Sequence, residues 1–182
     1  MGLFKRRRRD VPDLKTGRLR LVAITVPMLD AERRGDGSLA GLLGAKVTGE
    51  WPPEHWEPHV LDFIQKQMEN DALTAGWNRY VLLDGKFWEK PTLIGAVGGF
   101  AKPRGEVEIG YSTLPEFQRR GYATEAARAL IKMLFADEKV LSVSAQTFPS
   151  LPESIKVMER CGMRFVGDGD DPGTVRYRKS KG

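Results

Sequence analysis

Residues Thr113–Thr124, TLPEFQRRGYAT, form the stretch that decides the fold of this chain. A strand pattern precedes it at residues 106–113, and the strongest helical pattern of the chain follows at residues 121–135. One face of that helix is a continuous apolar stripe made of Ala123, Ala126, Ala127, Leu130, Ile131, Leu134 and Phe135. The stretch therefore predicts a strand that turns through a short loop into an amphipathic helix.

The loop and the first helical turn have the composition of an anion-binding site. The first N–H groups of a helix lack intrahelical partners, and the helix dipole adds partial positive charge there. Gly121 and the small Ala123 let a ligand approach the backbone, and two arginines, Arg119 and Arg120, add cationic reach. These features predict a phosphate or pyrophosphate site. A structural turn flanked by ordinary surface arginines is the alternative, and neither a Walker loop nor a Rossmann fingerprint is present.

The patterns on either side predict a mixed sheet with helices on its faces. The predicted strands span 18–25, 77–84, 92–101, 106–113, 140–147, 163–167 and 174–178, and the last two form a hairpin. The predicted helices span Met28–Arg34, Ser38–Leu43, 54–70, 121–135 and 153–161. A meander of three strands leads into a strand–helix–strand unit, which is the order of a mixed α/β fold. Three glycines inside the strand at 92–101 predict a close approach by another backbone or a ligand.

Length and composition indicate one domain, predicted at residues 16–182, behind a flexible basic tail at residues 1–15. The chain has 182 residues, of which 41% are hydrophobic and 29% charged, and its apolar runs are too short to span a bilayer. The single cysteine, Cys161, excludes a disulfide framework and a cysteine zinc site. His55 and His59 lie four apart on a predicted helix, a spacing that can bind metal, but no third ligand is apparent. No metal is predicted.

The run Arg6–Arg9 accounts for most of the net charge of +5. It predicts a solvated tail, and an arm that touches RNA, an anionic membrane or an acidic partner is the alternative. The apolar segment of a signal peptide does not follow the arginines. We therefore expect a cytoplasmic protein without a membrane or nucleic-acid partner.

The junction resembles the GNAT acyltransferases, a family that uses acetyl-CoA. The family's pattern Gln/Arg-x-x-Gly-x-Gly/Ala stands here as Gln118–Ala123. The wider run from Glu108 to Ala126 looks like the branch that contains the ribosomal-protein N-terminal acetyltransferases of RimJ/RimL type. Thr16–Leu21 and Ser154–Met163 resemble the first strand and the late helix of that branch.

The resemblance implies a mostly antiparallel sheet splayed into a V, whose arms are the strands at 106–113 and 140–147. It also implies that acetyl-CoA is the cosubstrate, with its pyrophosphate held by backbone N–H groups and its pantetheine arm laid along the first strand. The implied cofactor-binding residues are Thr113, Leu114, Gln118, Arg119, Arg120, Gly121, Tyr122, Ala123 and Thr124.

Catalysis requires removal of a proton from the acceptor, because a lysine-type amine has a pKa of about 10.4. Glu108 is the first candidate for the base, and Glu106, on the same face of the strand, is the second. Two solvent-facing carboxylates, or a water relay, are the alternatives. Ser154 can protonate the leaving thiolate or cap its helix, and the cap is favoured. The tyrosine and asparagine frequent in the family's late helix are replaced by Met158 and Leu151.

The sequence thus predicts an acetyl-CoA-dependent N-acetyltransferase that moves an acetyl group directly to a primary amine. The acceptor is a protein N-terminus or a small-molecule amine, and a homodimer is a further expectation. Trp51 and Trp56 fall in the region that helps to form the acceptor site in the family. A non-catalytic acyl-CoA-binding or sensor protein is the first alternative, and an RNA-binding protein that uses Arg6–Arg9 is the second.

Overall fold

The seven predicted strands and one further edge strand pair into a single eight-stranded sheet within residues 11–182. In the computed structural model, which describes residues 11–182, the strands are β1 (Leu14–Lys15), β2 (Leu19–Ala23), β3 (Arg79–Leu83), β4 (Thr92–Ala101), β5 (Glu106–Thr113), β6 (Ser142–Thr147), β7 (Arg164–Asp168) and β8 (Val175–Ser180). The helices are α1 (Val26–Arg34), α2 (Ser38–Leu43), α3 (Pro58–Asn70), α4 (Tyr122–Phe135) and α5 (Pro152–Arg160). The strand order is β1-β2-β3-β4-β5-β6-β8-β7, and every pair is antiparallel except β5 with β6. The predicted fold class is confirmed.

Each face of the sheet is covered by its own helices. The apolar stripe of α4 buries Leu130 and Leu134 on one face, together with Val143 of β6, and α5 packs beside it. On the other face α1, α2 and α3 form a second core, in which Ile64 packs with Leu82. Full burial of one such side chain is worth about 1.5–3 kcal/mol, so these two layers hold the sheet from both sides.

The two parallel strands at the centre of the sheet separate after three residue pairs. β5 and β6 pair at Glu106 with Ser142, Val107 with Val143 and Glu108 with Ser144. Beyond these pairs β5 continues to Thr113 without contacting β6 in the ladder. The predicted V between these strands is therefore present, with Glu108 and Ser144 at its apex.

The segment before β2 differs from the expected flexible lead. Leu14–Lys15 forms the edge strand β1, and the carbonyl of Pro12 accepts a hydrogen bond from Arg79 Nη1 at 3.0 Å. The Arg79 side chain is fully buried and also donates to the carbonyls of Gly76 and Leu21. Burial lowers the pKa of Arg79 to about 10. Sequence patterns missed this attachment because Arg79 lies more than sixty residues from Pro12. The run Arg6–Arg9, for which a solvated tail is predicted, lies outside the described residues.

Helix α3 is shorter than predicted. It begins at Pro58, so residues 54–57 precede it as a loop and His55 adopts a left-handed backbone with φ of 65°. The helical spacing proposed for His55 and His59 is therefore wrong. No helix within residues 11–182 is long and apolar enough to cross a membrane.

Candidate functional site

A row of free backbone N–H groups lines the turn between β5 and α4. Gly121 is the N-cap of α4 with φ of 83°, and Arg119 also has a left-handed backbone, with φ of 59°. In the described part of the chain, the N–H groups of residues 119–124 have no hydrogen-bond acceptor. Since an anion can accept several such hydrogen bonds at a helix N-terminus, the turn has the form of a phosphate site.

The turn is braced by a side chain from within it. Gln118 Nε2 donates to the carbonyl of Thr113, with 2.9 Å between the atoms. Leu114 is fully buried, and its N–H donates to the carbonyl of Ile94 on β4. Thr113 and Leu114 therefore sit at the open end of β5, while Gln118 holds the loop beside them.

A second brace, which the sequence reasoning missed, joins the turn between β1 and β2 to α4. Arg18 pairs with Glu125, with 2.7 Å between Nη2 and Oε2, and Nη1 donates to the carbonyl of Arg120. The guanidinium also lies 4.5 Å from the ring centre of Tyr122. Burial alone would raise the pKa of Glu125, but hydrogen bonds from Thr16 and Arg18 outweigh it and the net shift is downward. The brace holds the first turn of α4 in place.

A basic groove of about 490 Å³ runs along the outer face of α4, starting at Gly121. Its charged lining consists of Lys15, Arg18, Arg128, Lys132 and Arg160, with Glu125 as the acidic member. Arg128 Nε also donates to the carbonyl of Arg160 across 3.1 Å, which ties α4 to the end of α5. The positive charge of the groove would attract an anionic group, as the free N–H groups of the adjoining turn would.

A second cavity, of about 250 Å³, lies on the α3 face of the sheet beside the V. Its lining combines apolar walls with a few polar groups: Glu54, His55, Trp56, Val60, Ile64, Asn78, Ala96, Val97, Gly98, Phe100, Gly110, Tyr111 and Ser112. This composition is typical of a small-molecule or side-chain pocket. Because the family resemblance implies an acceptor site in the region of Trp51 and Trp56, we call it the acceptor pocket.

One carboxylate fixes the loop that forms the outer wall of the acceptor pocket. Glu32 Oε1 accepts from Trp51 Nε1 at 2.9 Å and from Trp56 Nε1 at 2.6 Å. Its other oxygen accepts from the hydroxyl of the buried Tyr80. Burial, followed by the charge of Glu32, raises the pKa of Tyr80. Of the two tryptophans, Trp56 lines the pocket.

The two candidate bases are both held by ion pairs. Glu108, 14% exposed, accepts from Gln146 Nε2 at 3.0 Å and lies 3.3 Å from Lys102 Nζ. Glu106 accepts from Ser144 Oγ at 2.6 Å and pairs with Arg178 at 2.8 Å. Only Glu108 is next to the acceptor pocket, because its partner on β4 is the lining residue Phe100.

Ser154 faces a tyrosine that sequence reasoning did not select. Its Oγ lies 3.1 Å from the hydroxyl of Tyr111, which also donates to the Ser154 carbonyl at 2.9 Å. Tyr111 stands on the arm of the V beyond Glu108, and burial raises its pKa to about 12. The favoured cap role of Ser154 is wrong, because Leu151 is the N-cap of α5. Its position in the run Glu108–Tyr111, which is part of the family resemblance, was the sequence signal that could have identified Tyr111 as a site residue.

The glycines of β4 are approached by protein atoms. A Cβ at Gly95 would collide with the carbonyl of Ser112, and one at Gly98 would collide with the side chain of Asn78.

Cys161 is buried in the core, where burial raises its pKa, so its thiol is a packing group. Among residues 11–182 no three acidic, histidine or cysteine side chains converge on a metal position.

A split pair of parallel strands lies next to a helix start whose backbone N–H groups are free. The family profile described as "Acetyltransferase (GNAT) domain" matches residues 33–164, so the chain belongs to the GNAT acetyltransferases. A Bacillus subtilis relative named "Uncharacterized N-acetyltransferase YjdG" is 30% identical over 151 residues, which is 82% of this chain and 88% of the relative.

Solved structures agree in fold. A GNAT-family acetyltransferase from Bacillus anthracis has a TM-score of 0.63 at 22% identity, covering 93% of this chain and 99% of that one. RimL, a ribosomal L7/L12 alpha-N-protein acetyltransferase solved with coenzyme A, has a TM-score of 0.61 at 14% identity, covering 93% and 98%. These likenesses identify the fold, and the family assigns an acyltransferase activity to this chain.

Proposed function

We propose that this protein is an acetyl-CoA-dependent N-acetyltransferase acting on a primary amine. One observation carries the proposal: the V between β5 and β6 opens directly beside the six free N–H groups of residues 119–124. When bound, acetyl-CoA supplies an activated acetyl thioester. The site fits this extended, phosphorylated ligand. The V offers unpaired strand edges, and the turn offers N–H groups that can donate hydrogen bonds to an anion.

The residues proposed to hold the cofactor divide by the part they bind. The N–H groups of Arg119–Thr124 would bind the pyrophosphate, while the main chain of Thr113 and Leu114 would lie along the pantetheine arm. Gln118 acts as a brace through its bond to Thr113. The basic groove, with Arg128 and Lys132, gives the remaining phosphate a cationic surface.

The acceptor amine needs a general base to take its proton. The amine forms a bond to the acetyl carbon while the carbon–sulfur bond breaks, and the nitrogen loses a proton. We assign this proton to Glu108, directly or through water, because it lies at the apex of the V and beside Phe100 of the acceptor pocket. Glu106 lies two residue pairs further from the opening of the V, and its oxygens are taken by Ser144 and Arg178.

The leaving thiolate needs a proton donor. Ser154 lies in the first turn of α5 with its hydroxyl on Tyr111, so the two hydroxyls form a short chain beside the V. With its pKa raised to about 12, Tyr111 remains protonated at neutral pH, and its hydroxyl can donate to or accept from the Ser154 hydroxyl. Met158, where the family often has tyrosine, is buried in the core and cannot take this role.

For the acceptor, we propose a protein N-terminus, following the RimJ/RimL branch to which the motifs are similar. RimL, which shares the fold, acts on the α-amino group of a ribosomal protein. The loop at Trp51–Trp56 and helix α3 would form the surface that meets it. A small-molecule amine is the other acceptor class for the same pocket. Organisation as one domain at residues 16–182, a paired-subunit state and a cytoplasmic location stay predictions.

Thermal unfolding with and without acetyl-CoA tests the cofactor, with adenosine diphosphate as the control. Acetyl-CoA at about 100 times its dissociation constant should raise the unfolding midpoint by about 5–10 °C. Release of free thiol that depends on an added amine then tests transfer. Binding without thiol release across many amines would instead support the acyl-CoA sensor, and no rise at saturation would reject the cofactor site.

A further inference from the structure

One glycine in the wall of the acceptor pocket is not required by the fold. The backbone of Gly110 on β5 is not left-handed, and a Cβ added there would lie 3.6 Å from the ring of Phe100, an ordinary van der Waals distance. Apart from its chain neighbours, no other atom of the described residues would lie within 4 Å of that Cβ. Gly95 and Gly98 differ, because protein atoms occupy the space of their side chains. At Gly110 the space belongs to the pocket.

Gly110 stands next to the atoms proposed to react. It lies on the arm of the V, just beyond the last pair of β5 with β6 at Glu108 and Ser144. Residues two apart on a strand face the same side, so Gly110 and Glu108 share one face of β5. About 6.6 Å separates them along the strand. Because two or three carbon atoms span such a distance, a group seated over Gly110 can carry an amine that reaches Glu108.

The walls around this space are apolar and aromatic. Trp56, Val60 and Phe100 line the pocket and are half-buried, so each leaves apolar surface open to it. Phe63 of α3 packs edge to face on Phe100, with 5.0 Å between the ring centres, and steadies that ring. Among the described residues that line the pocket there is no lysine or arginine, and its carboxylate, Glu54, stands at the rim with a side chain 88% exposed.

The size of the pocket suits an aromatic ring on a short chain. Its volume is about 250 Å³. An apolar protein cavity of about 150 Å³ holds a benzene molecule, so a ring leaves room here for a few carbon atoms. A second charged group in place of the ring would lie against apolar walls without a partner and would lose its hydration. The pocket therefore favours a ring over a charged chain.

We propose that the acceptor amine carries an aromatic ring, joined to its nitrogen by two or three carbons, and that Gly110 determines this specificity by leaving space for the ring. The inference rests on the proposed N-acetyltransferase function and narrows its acceptor. Both a small arylalkylamine and a peptide whose first residue is aromatic have this chemistry, and the experiment distinguishes the two sources.

Two pairs of amines that differ in the ring test the inference: 2-phenylethylamine against n-butylamine, and L-phenylalaninamide against L-alaninamide. The wild-type protein should use the ring-bearing amine with a kcat/KM about 10- to 100-fold higher, because the ring buries its apolar surface in the pocket. The ring-bearing amine with the higher kcat/KM identifies the source, a free amine or a peptide. No preference for the ring in either pair would overturn the inference.

Gly110→Val fills the space proposed for the ring. Valine suits a strand, so the variant should keep its acetyl-CoA affinity and unfolding midpoint. Its kcat/KM for 2-phenylethylamine should fall by about 10- to 100-fold, while the value for n-butylamine stays within a factor of about three. Gly110→Ala should show a smaller selective loss and serves as the test if the valine variant does not fold. Gly41→Val, on α2 with open space around it, should leave both values unchanged.

A loss that is equal for both amines, or no loss, would overturn the role of Gly110. Calorimetric binding of 2-phenylethylamine in the presence of coenzyme A gives a readout independent of turnover. If acetyl-CoA binds and no amine is acetylated, the proposed function is rejected. Binding of 2-phenylethylamine that is lost in Gly110→Val would then still support the ring site, whereas unchanged or absent binding would overturn it.

Discussion

The two halves of the site are built from different parts of the chain. The proposed cofactor half is mainly backbone: residues 119–121 of the turn and the first three residues of α4 present N–H groups in one continuous stretch. The acceptor half is mainly side chains, brought together from the loop at 54–56, α3 and three strands. A backbone site depends on local conformation, while a side-chain site depends on the fold that assembles it.

The two halves should therefore differ in how strongly they respond to side-chain substitutions. Any side chain outside the turn can change without removing a backbone N–H group, so the cofactor half tolerates variation in sequence. The acceptor pocket changes with every residue on its walls, including Trp56 and Asn78. Substitutions in the two halves should therefore affect different kinetic quantities.

The largest effect is expected at Gly121. Gly121→Glu forces a side chain onto a left-handed position and adds negative charge beside the free N–H groups, so acetyl-CoA affinity should fall by more than about 100-fold. Calorimetric titration measures it. Gly37→Glu is a matched control, since Gly37 has φ of 80°, caps the start of α2 and has open space around it. Equal affinity in the two variants would break the assignment of the backbone site.

The next effect is expected at Glu108. Glu108→Gln should lower kcat by about 100-fold with little change in acetyl-CoA affinity, because general-base catalysis contributes on that scale. Glu106→Gln serves as the comparison on the same strand face. If the Glu106 variant loses activity and the Glu108 variant keeps it, the assignment reverses.

A smaller effect is expected for the hydroxyl pair. Ser154→Ala should reduce kcat by about 10-fold, and Tyr111→Phe by less, because Tyr111 reaches the reacting atoms through Ser154. Acyl donors with more acidic thiols need no proton donor, so they should restore much of the lost rate. A rate loss that is the same for every thiol would argue that the pair only packs α5 against β5.

The smallest effect is expected in stability at acid pH. The folded-state pKa of Glu125 is lowered, so its brace with Arg18 stabilises the fold above the unfolded-state pKa of about 4.3 and loses that contribution as pH falls through the folded value. Glu125→Gln should therefore be less stable than wild type at pH 7, and the difference should shrink as the pH falls below about 4.3. Denaturant unfolding at both pH values measures this, and a constant difference would contradict it.

Sequence reasoning predicted the turn that forms the proposed cofactor half, and it missed most of the lining of the acceptor pocket. The two differ because the turn is one contiguous segment, whereas the pocket is assembled from distant parts of the chain. The turn at Gly121 is a contiguous signal, and the parting of β5 from β6 followed from the family resemblance. Nothing local connects Asn78 to Gly98, or Tyr111 to Ser154, since the residues of each pair are distant in sequence and meet only in the folded protein. The start of α3 was predicted too early because the loop at 54–57 has no pattern that distinguishes it from a first helical turn.

The hydrogen bond between Trp56 and Glu32 has an optical consequence. The indole of Trp56 lines the acceptor pocket and is fixed by a carboxylate, so a ligand that enters the pocket must alter the light that this ring emits. Trp88, 97% exposed at the tip of the β3–β4 hairpin, emits as a solvated indole whether or not the pocket is filled. The protein thus carries both a reporter and a reference, and Trp56→Phe identifies which part of the spectrum belongs to the pocket.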